Sequence, residues 1–233
     1  DELCDMARVT GIPGIYRPAK SHPLNQKQVA IHHSELMGKK YEDCNYIILH
    51  LGGGISITAH EKGKMIDGFD IVGGEGPMAP TRCGSVAVAD VLKYCEDKEI
   101  KTVKQLCTKN GGFVNHMGIS DALELTKCAA DGDKYAGLLW DTMIYQIAKC
   151  IGSMAVVLEG SVDGILLGGG MVYNEDLVAK LKGYCEWIAP ISAYPGEFEM
   201  EAMASGAERV LDGEEEVKKY TGECRFQGFD FIK

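Results

Sequence analysis

Three short segments of this chain hold residue types suited to gathering anions, and a fourth holds carboxylates suited to a cation. Gly52, Gly53 and Gly54 stand between two apolar runs, NYIILHL (45–51) and ISITAH (55–60). Glycines between strands permit positive φ and let amide N–H groups approach a phosphate with no Cβ in the way. A plain hairpin turn would use the same residues, and spacing alone leaves both readings open. Gly168, Gly169 and Gly170 follow a second apolar run, VDGILL (162–167), and precede a helical pattern. The junction of a buried strand with a helix is where α/β sheets hold nucleotide phosphates. A tight strand-to-helix turn is the alternative there. Neither triplet belongs to a GxGxxG fingerprint, and no GxxxxGK followed by Ser or Thr occurs, so dinucleotide-fold and P-loop readings lack support.

The third segment is GEGPMAPTRCG (74–84). An arginine in a Gly/Pro-rich loop, here Arg82, can aim its rigid fork at phosphate or carboxylate oxygens. An exposed surface arginine is the plainer reading. Glu75 in the same loop could serve an anion site or stabilise the turn. The fourth segment is PGEFEME (195–201). Its carboxylates suit the positive end of a helix, or a Mg²⁺ ion beside a nucleotide. His50 closes the first apolar run, and His22 and Asn25 lie in SHPLNQK (21–27). Each histidine could be a hydrogen-bonded core residue or part of a site. His32, His33, His60 and His116 show no metal-ligand spacing, and Asp131-Gly132-Asp133 is too short for a calcium loop.

These residues need a scaffold, and the 233-residue chain, 45% hydrophobic, is long enough to build one. The first twenty residues read as a short helix and a connector, and a helix is expected from Asn25 to about Met37. Strands are expected over 45–51 and 55–60 and from Met65 onward, forming two adjacent hairpins. Helical patterns follow over 85–95, 102–107 and 121–130. The strongest covers 134–158, where Trp140, Ile144, Ile147, Ile151, Met154 and Leu158 recur at steps of three and four. A strand over 162–167, a helix from Glu175 to Trp187 capped by Asn174, a strand over 191–194 and a helix over 197–211 complete the order. That order, β-β-β-α-β-α-β-α, implies an α/β fold: a mixed sheet flanked by helices, as in ribonuclease-H-like halves of actin-type kinases.

Composition removes other classes. The net charge is −10 with no basic cluster, so a nucleic-acid partner is disfavoured. Apolar stretches fall short of the ~20 residues a membrane helix needs, and no basic-then-apolar leader opens the chain. Nine cysteines are scattered singly, without CxxC spacing, which fits a reducing, cytoplasmic setting and small core thiols. The first residues, Asp1-Glu2-Leu3-Cys4, lack an initiator Met, so the start reads as a cut.

Taken in order, ARVTGIPGI (7–15), HPLNQKQVA (22–30), HLGGGIS (50–56), GEGPMAPTRCG (74–84), YQIAKCIGSMAVVL (145–158), VDGILLGGG (162–170) and PISAYPGEFEMEAMASGA (190–207) resemble the butyrate kinases. These belong with the acetate kinases in the sugar kinase and actin superfamily, and the resemblance covers nearly the whole chain. It implies reversible phosphoryl transfer between ATP and butyrate, giving butyryl phosphate and ADP, with Mg²⁺. Isobutyrate or acetate as substrate, or a non-catalytic nucleotide-binding module, are the alternatives.

Carried over by resemblance, Arg82 and His50 are catalytic. His22, Asn25, Gly52, Gly53, Gly54 and Glu75 bind substrate or phosphate, and Gly168, Gly169 and Gly170 bind the nucleotide. Glu199 is linked to Mg²⁺, with Glu197 as its competitor. The family pattern also implies a homo-oligomer and an N-terminal domain not contained in this sequence. Residues 1–21 would then be a connector, 22–198 the nucleotide-binding domain, and 199–233 a helix and tail that pack on the other domain and leave an apolar face exposed. Alone, the chain is expected to be inactive.

Overall fold

A computed structural model of the chain describes residues 2–18, 20–223 and 226–229. One helical turn, α1 (Asp5–Arg8), and a longer helix, α2 (Pro23–Leu36), precede the sheet. Proline at the first position of α2 costs no hydrogen bond, because that N–H has no intrahelical partner. Three strands follow: β1 (Asn45–Leu51), β2 (Ile55–Glu61) and β3 (Lys64–Gly68). They form the two expected antiparallel hairpins. Four short helices come next: α3 (Val88–Cys95), α4 (Ile100–Leu106), α5 (Gly112–Met117) and α6 (Ala122–Ala130). Then come α7 (Lys134–Val157), β4 (Gly164–Gly169), α8 (Glu175–Cys185), β5 (Ile191–Pro195) and α9 (Glu199–Leu211).

The sheet runs β3-β2-β1-β4-β5, with β4 parallel to both β1 and β5. It is the mixed, helix-flanked α/β sheet the element order implies. The carboxyl ends of β1, β4 and β5 therefore meet at one edge. The register sets His50 beside Gly168, and Gly168 beside Tyr194.

Successive side chains of a strand point to opposite faces, so each strand contributes to two layers. One layer is apolar. Ile47, Leu49, Ile55, Ile57, Ile165 and Leu167 pack there with the inner stripe of α7. All six residues expected to form that stripe, from Trp140 to Leu158, are buried. The opposite face lies under α2 and is unusual in being polar as well as buried. Ser56, Thr58 and His60 of β2 are all fully buried. Gln26 of α2 donates to Thr58 Oγ1 at 3.0 Å and to the Ile48 carbonyl at 2.9 Å. Thr58 Oγ1 lies 2.8 Å from His60 Nε2, and Tyr41 takes the other ring nitrogen. Burial pushes the His60 imidazole down to about 3, so it stays neutral within this network.

Element boundaries shifted modestly from the sequence expectations. The third strand stops at Gly68, the 85–95 helix starts only at Val88, and β4 continues through Gly168 and Gly169. Asp121, Asp133 and Asn174 cap α6, α7 and α8 through their side-chain oxygens. The α5 helix was not foreseen, because Gly111-Gly112 at its start reads as a turn. These glycines are required by packing: a Cβ on residue 111 would press on the Arg82 carbonyl carbon at 2.7 Å. The α9 helix lies against α2 yet buries no residue fully, and Met200, Met203 and Leu211 stand exposed.

Candidate active site

Both glycine triplets open into one cleft of about 660 Å³, a size typical of small-molecule sites. Gly52, Gly53, Trp140, Gly170, Asn174 and Glu197 are among its lining residues. The topology explains the convergence. Parallel pairing of β1 with β4 brings their carboxyl ends side by side, and open α/β sheets hold ligands at such ends. Within each triplet the glycines do different jobs. Gly169 has φ +98°, and a Cβ there would stand 2.7 Å from the Leu51 nitrogen, so only glycine lets the strands stay this close. Gly53 and Gly170 face open space with nothing within 4 Å of a Cβ.

Arg82 reaches this turn from its own loop. A Cβ on Gly54 would lie 2.5 Å from Nη1 and 2.8 Å from Nη2, so the guanidinium rests directly on the backbone of the first triplet. Its Nε and Nη1 are buried and donate to nothing among the described residues. Among the described residues no carboxylate pairs with it. Burial pulls this guanidinium below its ordinary value, because the charge has lost water without gaining a counter-ion. A half-buried cation in this condition can accept an anion.

Two imidazoles complete the cluster. His22, at the N-cap of α2, stacks on His50, with ring centroids 3.9 Å apart and planes 15° from parallel. His22 Nδ1 lies 2.7 Å from Ser56 Oγ, and Ser56 is the cross-strand partner of His50. Burial first, then the nearby charges of His50 and Arg82, push His22 down to about 4, while Glu199 pulls the other way. Burial alone pushes His50 to about 4. At neutral pH both rings are uncharged, each with one N–H to donate.

The remaining candidates are distributed as follows. Asn25 is fully buried on the inner face of α2, with neither amide atom satisfied. A Cβ on Gly168 would meet its Oδ1 at 2.8 Å, so Asn25 touches the second triplet. Glu199 begins α9 and acts electrostatically on His22, while Glu197 lines the cleft. Among the described residues no group of three or more His, Cys, Asp or Glu is arranged to hold a metal ion. One or two carboxylates beside a polyphosphate is the donor set of Mg²⁺, so these glutamates fit that ion and do not fit a protein cage such as that of structural zinc. Glu75 is engaged elsewhere. It accepts from Arg17 at 3.0 and 3.1 Å and from the Asp70 N–H at 2.9 Å. Of its two readings, these contacts are those of a turn-stabilising carboxylate.

Several supporting residues escaped sequence reasoning. Thr81 Oγ1 donates to the Gly53 carbonyl at 2.9 Å and fixes the first turn. Gln146 of α7 accepts from the Met78 N–H at 2.7 Å and holds the Arg82 loop from behind. Trp140 is buried at the cleft floor, with its indole N–H on Asp176 at 2.9 Å. Ser56 could have been suspected, because the alternation in ISITAH sets it on the face that carries His50. Nothing local marks Thr81, Gln146 or Arg17.

No helix among the described residues is long and apolar enough to cross a membrane. The acetokinase family model matches residues 16–186. A probable butyrate kinase of Clostridium botulinum is 45% identical over 223 residues, covering 94% of this chain. Butyrate kinase 2 of Clostridium acetobutylicum is 43% identical over 226 residues. The chain spans 62% of the length of each of these relatives. The crystal structure of Porphyromonas gingivalis acetate kinase superposes with a TM-score of 0.80 at 22% identity, over 90% of this chain and 61% of that one. The fold is thus that of the acetate kinases, an actin-like ATPase fold. With its family match spanning β1 to β4, both glycine turns and the Arg82 loop, the chain belongs to the acetokinase family.

Proposed function

We propose that this chain supplies the nucleotide wall and the phosphoryl-gathering centre of an ATP-dependent butyrate kinase. The reaction moves a phosphoryl group between ATP and butyrate, giving butyryl phosphate and ADP, and runs in both directions. The observation that carries this reading is the half-buried Arg82 guanidinium, without a carboxylate partner among the described residues, seated on the first of two glycine turns that share a cleft.

Phosphoryl transfer asks a protein for positioning and charge neutralisation. The carboxylate of the substrate is the nucleophile and is already ionised at neutral pH, so no strong protein base is needed. In this reading Arg82 neutralises the transferring group. His22 and His50, both uncharged, donate N–H bonds to its oxygens without adding repulsion between themselves. Backbone amides of 52–54 and 168–170 cradle the nucleotide phosphates. Mg²⁺ would be held between the phosphates and Glu199 or Glu197, and when bound it neutralises phosphate charge.

Butyrate is favoured over other acids by the names of the relatives at 43–45% identity. Isobutyrate and acetate remain the competing substrates, since one methylene changes selectivity by only ~1–3 kcal/mol. A homo-oligomer in the cytoplasm is part of the same reading. Because the chain matches 62% of its relatives' length, we expect nucleotide binding without turnover from the chain alone.

Calorimetric titration with ADP and Mg²⁺ tests the nucleotide wall, and absence of binding would overturn it. In a protein of the relatives' full length, Arg82→Ala should abolish butyrate-dependent turnover while leaving ADP affinity within a few fold. Loss of nucleotide affinity with no loss of turnover would favour a non-catalytic role for Arg82. Initial rates with acetate, butyrate and isobutyrate rank the acids.

A further inference from the structure

The cysteines that are scattered along the sequence do not all stay apart in the fold. The Cys83 N–H donates to the Leu106 carbonyl at 2.9 Å, and the Gly111 N–H donates to the Thr81 carbonyl at 3.1 Å. Residues 81–83 therefore run alongside the end of α4. A bond of that length, from the amide of 83 to the carbonyl just before 107, limits the two α-carbons to roughly 7 Å, and bridged cysteines usually stand ~4.4–6.8 Å apart. The two thiols are close enough for Cys107 to act electrostatically on Cys83. Both residues are partly exposed, so a small reagent can reach them. The Cys107 sulfur also borders Gly74, where a Cβ would stand at 3.1 Å, so a larger residue at 74 would crowd it.

We propose that Cys83 and Cys107 are a thiol–disulfide modification site: a small disulfide such as oxidised glutathione closes them into one reversible bond that fastens the Arg82 loop to the end of α4. The reaction proceeds in two exchanges. The Cys107 thiolate attacks one sulfur of the oxidant and expels one glutathione thiolate. Cys83 then gives up its proton and attacks the Cys107 sulfur of the mixed disulfide, expelling the second glutathione. Two protein thiols are oxidised, and one oxidised glutathione is reduced to two thiols. Burial and the adjacent thiol push Cys83 up to about 11, so little of it is thiolate at neutral pH and its attack relies on the mixed disulfide being held beside it.

The test is peptide mapping of the folded chain after incubation with oxidised glutathione, with digestion at low pH to stop exchange. The expected product joins the peptides holding Cys83 and Cys107, and it disappears on treatment with dithiothreitol. Cys107→Ser and, separately, Cys83→Ala should each abolish it, so one misfolded variant does not end the test. In the oxidised chain, amide exchange across 81–84 and 106–112 should slow at least several fold. Glutathione adducts without an 83–107 link, or a link formed only in denaturant, would overturn the site. Unchanged amide exchange in the linked protein would overturn the fastening. None of these outcomes depends on kinase activity, so they stand apart from the proposed function.

Discussion

The guanidinium of Arg82 occupies the space that a side chain at residue 54 would need. A Cβ there would meet both terminal nitrogens within 2.8 Å. The two residues therefore define each other: the turn supplies a backbone shelf, and the cation rests on it without a carboxylate partner among the described residues. Gly54→Ala should push the guanidinium away. Affinity for inorganic phosphate is expected to fall at least tenfold, about 1.4 kcal/mol, in a calorimetric titration. Phosphate binding equal to that of the unsubstituted chain would show that Arg82 needs no such shelf.

Gly53 and Gly170 allow a cleaner separation of binding from folding. A methyl group at either position meets nothing within 4 Å, and neither residue is held at positive φ. Gly53→Ala and Gly170→Ala should leave the melting temperature within a degree or two. Each should weaken ADP binding by roughly tenfold, because the added methyl stands where amides are meant to approach phosphate. Undiminished ADP binding in both variants would move the nucleotide out of this cleft.

Acid should destabilise the fold through its buried imidazoles. His22 and His50 titrate near 4 and His60 near 3 in the folded chain, against about 6.5 when unfolded. Between those values the unfolded chain binds more protons, so stability rises with pH and is lost as pH falls from about 6.5 toward 4. Thermal melts at half-unit steps should show the melting temperature dropping over that window. His60→Gln should flatten part of the slope. A melting temperature level from pH 7 to 4.5 would contradict the neutral, buried state of these rings.

Ser56 holds His22 at 2.7 Å from a fully buried position. Ser56→Ala should free Nδ1 and change the tautomer balance of His22, seen as altered ring ¹⁵N shifts in long-range proton–nitrogen spectra. Loss of the bond should cost about 1 kcal/mol of stability in urea melts. Unchanged His22 ring shifts would mean that stacking on His50 alone orients the ring.

Much of this fold was open to inspection in the primary structure. The stripe from Trp140 to Leu158, the cap at Asn174, and the hairpins around Gly52–Gly54 and Lys62-Gly63 are local patterns with local causes. The two glycine triplets were visible as well, but each alone was compatible with an ordinary turn. What supports the phosphate reading is the parallel pairing of β1 with β4, a contact between segments more than a hundred residues apart. The polar layer under α2 was harder to foresee. Alternation in ISITAH marks a polar side without saying whether that side meets water or protein. The α2 helix lacks a clear apolar face because its inner residues, Asn25 and Gln26, are themselves polar. Glu75 shows the opposite limit: its loop suggested an anion site, and its partner Arg17 lies too far along the chain for spacing to reveal.

The pairing of His50 with Gly168 has a consequence for anyone wishing to transplant this chemistry. A phosphate-holding loop is often treated as a portable module. Here the histidine of one strand and the glycine of the next are neighbours through the backbone ladder, and slipping the ladder by one residue would turn His50 to the wrong side of the sheet. The smallest piece that could be grafted is a pair of adjacent parallel strands with the helix that covers them, and the loops are its rim.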